Sequence, residues 1–162
     1  MLSNDLIRRV EDKVIETILL AQEKFQRNWE LPGISFDLIS NTIGGQADLQ
    51  NWVIKINPKF LAHCSDDSIQ TTIPHEIAHL ITYKLFPNSK QFHGPDWKSV
   101  MTKLGLLPTR CHNMLIPELR PHTYICNCQK WFISNLIHKR MSAGQCRRCP
   151  KCRGNLVYLN TK

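Results

Sequence analysis

The 162-residue sequence has no apolar run approaching the ~20 residues that a helix needs to span a bilayer. That excludes helical insertion, and no membrane partner is expected. The N-terminal residues Met1-Leu2-Ser3-Asn4-Asp5 lead into a charged amphipathic stretch, without the apolar core of a signal peptide. A cytoplasmic protein is the expectation. No repeat and no low-complexity segment is present, which argues against a solenoid or a disordered tail. The most informative absence is local: residues 121–162 contain no acidic side chain.

The net charge of +8 therefore has an address. Residues 1–120 carry 13 basic and 13 acidic side chains, whereas residues 121–162 carry eight basic ones and none to offset them. Cysteine divides in the same way. Of seven cysteines, Cys126, Cys128, Cys146, Cys149 and Cys152 fall within 27 residues, while Cys64 and Cys111 stand apart and read as small buried residues. In a reducing compartment such a cluster points to a metal rather than to disulfides, and an odd total argues against full pairing. Two domains are expected, 1–120 and 121–162, the second small and basic.

Along the first domain, Leu6, Val10, Val14 and Ile18 recur at helical spacing, with Ile7, Ile15 and Leu19 widening the stripe. Ser3 or Asn4 offers an N-cap, and the helix is expected to run to about Asn28. Ile34, Phe36 and Leu38 alternate as a strand. Gln46–Gln50 and Trp52–Asn57 read as a hairpin turning near Gln50-Asn51, stopped by Pro58. A second helix opens at Asp66-Asp67-Ser68 and carries Ile69, Ile73, Ile77, Leu80 and Ile81 inward. Pro74 inside it predicts a kink or a restart. A third helix begins at Gly94-Pro95-Asp96, buries Trp97, Val100, Met101 and Leu104, and ends at Gly105. The order of elements is that of an α+β fold.

His75-Glu76-Ile77-Ala78-His79 lies on the second helix. Two histidines four positions apart share one helix face and can bind one Zn²⁺. Glu76, rotated by about 100° from His75, can reach a water at the metal without ligating it, and can act there as general base. With seven histidines and six glutamates, the pattern is expected roughly 0.01 times in a shuffled chain. A catalytic zinc needs a third protein ligand. His93, before the turn Gly94-Pro95, is the best candidate; Asp96, His112 and Glu118 are alternatives. In the tail, Cys149-Pro150-Lys151-Cys152 has knuckle spacing and Cys126-Asn127-Cys128 lies 20 residues upstream, so two close pairs can supply a tetrahedral zinc. Cys146 and His138 are available substitutes.

The motif, followed by Phe92-His93-Gly94-Pro95-Asp96-Trp97-Lys98, closely resembles the SprT family of zinc metallopeptidases. Asn57-Pro58, Pro74 and the cysteine-rich tail match as well, and the likeness spans about residues 34–159. The resemblance implies zinc ligands at His75, His79 and His93, with Glu76 catalytic. It implies a small zincin-like core followed by a zinc ribbon, held by Cys126, Cys128, Cys149 and Cys152. The expected function is hydrolysis of peptide bonds in a protein or peptide substrate. The family's eukaryotic relatives known as Spartan are DNA-dependent proteases, which makes DNA-associated proteins a candidate target.

Tyr124, Trp131, Phe132 and Tyr158 are interleaved with the tail's basic residues. Basic groups can neutralise phosphates while exposed rings stack on bases, so DNA contact through the tail is a further expectation. The plainer reading gives most of these rings to the ribbon's small core. The alternative function is a non-catalytic nucleic-acid-binding regulator.

Overall fold

The computed structural model describes residues 2–40, 42–63, 66, 68–109 and 120–159. The chain divides into two compact units, Met1–Met114 and Leu115–Lys162. Both combine helices with a small three-stranded sheet, so the protein is α+β. No described helix is long and apolar enough to cross a membrane.

The first unit begins with α1 (Asn4–Phe25). Ser3 caps it, its hydroxyl accepting from the Leu6 N–H at 3.3 Å. The helix stops three residues before Asn28, because Gln26 turns into the left-handed region at φ 51° and its N–H bonds back to Gln22. The buried stripe is Val10, Val14, Thr17, Ile18 and Ala21. Ile15 and Leu19, expected to widen it, are exposed, since Thr17 and Ala21 occupy the inward side instead.

Three strands follow: β1 (Gly33–Ser35), β2 (Gly45–Asp48) and β3 (Val53–Ile56). β3 is central, parallel to β1 and antiparallel to β2, with Gly45 opposite Ile56 and Asp48 opposite Val53. The hairpin is the expected one. Asp48 accepts from the Asn51 backbone and amide and pairs with Lys55 at 3.0 Å, which pins its turn. Pro58 ends the strand and opens a short helix, α2 (Pro58–His63), that the sequence did not announce. Buried Asn57 joins the two, its amide donating to the carbonyls of Ser40 and Ile43 while its side-chain oxygen accepts from the Lys59 N–H.

Pro74 does restart the helix. A π-helical turn, Ser68–Thr72, precedes α3 (Ile73–Leu85), and the proline sits in the first turn of α3. There its missing N–H costs nothing, and the wider turn before it eases the clash a proline ring meets in a continuous α-helix. Ile73, Ile77, Leu80 and Ile81 are fully buried against α1, β3 and α4 (Pro95–Lys103), whose own buried face is Trp97, Val100 and Met101.

In the second unit β4 (His122–Ile125) lies between β5 (Lys130–Ile133) and β6 (Val157–Tyr158), both antiparallel to it. Helix α5 (Asn135–Ser142) connects β5 to the Cys146–Cys152 segment. The core among the described residues is small: Tyr124, Ile133, Cys149 and Leu156, with Trp131, Ile137 and Met141 partly buried around them.

Candidate metal centres

Helix α3 carries His75 and His79 one turn apart, both buried. His93 comes from the turn before α4. That turn closes with the Gly94 N–H donating to the Gln91 carbonyl at 3.1 Å. A Cβ on Gly94 would meet Gln91 Cβ at 2.8 Å, so a side chain there would open the turn and carry His93 away.

The three Nε2 atoms meet: His75 to His93 at 3.0 Å, His79 to His93 at 3.1 Å, and His75 to His79 at 3.2 Å. Each Nε2 bears either a proton or a lone pair, so three mutual contacts cannot all be hydrogen bonds; two like atoms must face each other. A shared cation removes that conflict. The spacing suits one, because nitrogens 2.0–2.1 Å from a tetrahedral zinc lie about 3.3–3.4 Å apart. Burial, helped by the charge of His93, lowers the His79 pKa to about 4, which keeps its imidazole neutral and able to ligate at neutral pH. Trp97, fully buried, forms the floor, its ring centroid 4.8, 5.3 and 4.7 Å from those of His75, His79 and His93.

Glu76 is also buried, and its carboxyl is not one of the groups gathered with the histidines. It faces β2. The Ala47 N–H donates to it, and Gly45 packs so close that a Cβ there would lie 2.5 Å from Thr72 Cγ2 and 3.0 Å from Glu76 Cγ. Desolvation outweighs the Ala47 hydrogen bond and pushes the Glu76 pKa up to about 7. Asp96 is half-buried and stands outside the cluster, while His112 and Glu118 fall outside the described residues.

In the second unit Cys126, Cys128, Cys149 and Cys152 bring their sulfurs within 4.8 Å of one another. Cys126 and Cys128 are 3.4 Å apart, and Cys128 and Cys149 are 3.6 Å apart. Thiolates 2.3 Å from a tetrahedral zinc lie about 3.8 Å apart, close to this spacing. Two tight turns supply the pairs. The Cys126 N–H donates to the Gln129 carbonyl, and the Cys149 N–H to the Gly154 carbonyl. The one-residue spacer between Cys126 and Cys128 is accommodated because Cys126 is the first residue past β4 and Cys128 lies in the turn itself.

The sulfurs compete for protons. Against desolvation, which would raise it, backbone N–H groups of Cys128 and Gln129 draw the Cys126 thiol down to about 6. The hydrogen bond to Cys126, together with desolvation, pushes Cys128 up to about 12. A divalent cation replaces those shared protons, as it does in thiolate sites generally. Cys146 is exposed and outside the group, and His138 is engaged elsewhere, stacked on His122 at 3.5 Å between ring centroids with its Nδ1 3.1 Å from the Tyr124 hydroxyl. Cys64 and Cys111 lie outside the described residues.

Sequence reasoning named the residues of both candidate groups but missed their surroundings. Nothing in the spacing tied Ala47 and Gly45 to Glu76, or showed that Trp97, read as core, floors the histidines.

The sequence profile of the SprT-like family matches residues 12–115. The chain is 33% identical to "Protein SprT" of Pasteurella multocida over 94% of its length and 93% of that protein. It is 32% identical to "Protein SprT" of Vibrio atlanticus, covering 93% and 92%. With "Protein SprT" of Erwinia tasmaniensis the identity is 34%, covering 85% and 82%. No solved structure matches the chain significantly.

Proposed function

Since the chain belongs to the SprT-like family, we propose that it is a zinc-dependent metallopeptidase with a zincin-like first unit and a zinc-ribbon second unit. The observation that carries this reading is the meeting of three histidine Nε2 atoms at 3.0–3.2 Å. His75, His79 and His93 would hold the catalytic ion, and Cys126, Cys128, Cys149 and Cys152 a structural one. Zinc bound by three histidines supplies a Lewis acid that lowers the pKa of water and polarises a peptide carbonyl.

The chain's own residues supply the rest. Glu76 accepts the proton of the attacking water and returns it to the leaving amine. Burial raises its pKa to about 7 in the metal-free fold, and a cation held by the neighbouring histidines would draw it back towards the carboxylate that accepts the proton. The Ala47 N–H holds the carboxylate, and Trp97 fixes the rings of all three ligands by contact. Replacing Glu76 with Gln keeps the shape and removes the base. Zinc should remain bound while cleavage of an unstructured protein falls by roughly 10²–10⁴. Undiminished cleavage by the variant would refute the assignment.

The second unit supports a nucleic-acid contact as well. Among its residues 121–162 the seven described basic side chains, Lys130, Lys139, Arg140, Arg147, Arg148, Lys151 and Arg153, are all exposed, and that stretch has no acidic residue. Tyr124 and Trp131 are spent on the core and Phe132 is half-buried, so Tyr158, 41% exposed, is the ring best placed to stack. Binding to single-stranded DNA should weaken steeply with salt, by about 0.7 in log–log slope per phosphate neutralised. Salt-sensitive DNA binding with no proteolysis under any condition would favour a non-catalytic regulator. Absent DNA binding would leave the charge to an acidic protein partner.

A further inference from the structure

Two cavities flank the histidine cluster, and they differ in chemistry. One, of about 430 Å³, adjoins His93 and is lined by Gln91, Trp97, Lys98 and Pro108, with Phe92 at its edge. The other, of about 200 Å³, adjoins His79. Its walls are Leu49 beyond β2, Tyr83 and Phe86 at the end of α3, Pro87 and Ser89 in the loop that follows, and Phe92 again. Phe92 thus divides the two, its ring 5.8 Å from that of His79. It is 69% exposed, and Tyr83 and Phe86 are 41% and 37% exposed. Three large, partly exposed rings border one cavity beside the histidine cluster, so an apolar occupant would remove further ring surface from water.

We propose that the cavity beside His79 is a specificity pocket that receives one large apolar side chain of the substrate, from the residue next to the scissile bond. This deepens the metallopeptidase reading and rests on it. Three features select the occupant. His79 is both a cluster member and part of the pocket wall, so a group in the pocket adjoins the reacting carbonyl. The volume is below the 300–1,000 Å³ of sites that enclose a whole small molecule, and matches a single side chain. The polar groups of the lining do not call for a polar ligand: the buried Thr82 hydroxyl already donates to the Ala78 carbonyl at 2.6 Å, Tyr83, Lys90 and Gln91 lie exposed, and Ser89 is only half-buried. The cavity on the other side of Phe92, with Lys98 and Gln91, would leave the opposite flank of the scissile bond tolerant of polar residues.

The test is binding of three peptidyl hydroxamates to the zinc-loaded full chain by calorimetry, differing only in the side chain next to the chelating group: benzyl, hydrogen or carboxyethyl. The benzyl probe should bind at least about tenfold more tightly than the other two. Ser89→Phe, which fills the pocket, and Phe86→Ala, which removes a wall, should each erase that advantage and leave the affinity of the side-chain-free probe unchanged. Equal affinities in the parent, or an advantage that survives Ser89→Phe, would overturn the pocket. The metallopeptidase reading fails differently. Preferential benzyl binding without any peptide cleavage would retain the pocket and refute the activity, whereas no binding of any probe would overturn both.

Discussion

The two candidate metal centres are built in opposite ways. In the first unit the histidines project from α3 and from the turn before α4, onto a fully buried tryptophan and beside a core of 17 buried described residues. In the second unit the cysteines sit in two turns, Cys128 and Cys152 are exposed, and the core among the described residues has four buried members. A helix-borne site is held in place by packing that exists without the metal. A turn-borne site with so little apolar burial is held by the metal itself. Three histidines would leave a coordination position open on a bound ion, whereas four sulfurs would close the shell of theirs.

Stripping metal should separate the units most sharply. Structural zinc in zinc-finger peptides is worth about 10–16 kcal/mol, more than a core of this size can replace. On chelation, amide hydrogen exchange across residues 122–158 should lose its protection while α1 and α3 keep theirs. Loss of protection in both units together would end the contrast.

A smaller effect follows from the burial of Glu76. Its folded-state pKa, about 7, lies above the ordinary 4.5, so the metal-free fold favours the protonated form. That stabilisation is complete below about pH 4.5 and is lost as the pH rises through about 7. In the metal-free protein Glu76→Gln should therefore be more stable than the parent at pH 8, by at most about 3 kcal/mol, with the gap closing towards pH 4.5. Thermal melts at the two pH values check this, and a gap that widens on acidification would reverse the sign. Bound metal favours the carboxylate and should shrink the effect.

The smallest expected change is at Gly94. An alanine Cβ would press on Gln91 Cβ at 2.8 Å, and the turn would open by shifting His93 rather than unfolding α4. Metal affinity at the histidine site should drop by about tenfold, as it does when the support of a ligand is disturbed, with the melting temperature of the first unit little altered. Unchanged affinity would show that the turn does not position His93.

What could be read from the sequence followed the same division. The clustering of His75 with His79, and of each cysteine pair, was legible because it depends on short spacings, four residues along a helix and close pairs in turns. His93, 14 residues past His79, stood among four candidates. Helix α4 was legible as well, since Gly94-Pro95 and Gly105 mark its ends. Contacts between distant segments were not. Gly45 against Glu76, Trp97 beneath the histidines, and Leu49 and Phe86 on one cavity join residues whose pairing no local pattern encodes. Helix α2 escaped because six residues hold too little periodicity, and Pro58 reads equally well as the end of a strand or the start of a helix. Helix α1 ends early because Gln26 adopts a left-handed conformation that glycine usually advertises. The π-helical turn before Pro74 has no residue signature; the proline announced a break without its form.

Zinc content per chain, measured on anaerobically purified protein, tests the account most directly. Two zinc ions are predicted for the parent, one for the His75→Ala/His79→Ala variant and one for the Cys149→Ser/Cys152→Ser variant. A parent with a single zinc that is unaffected by the histidine replacements would contradict the catalytic site, and a parent with none would contradict both centres.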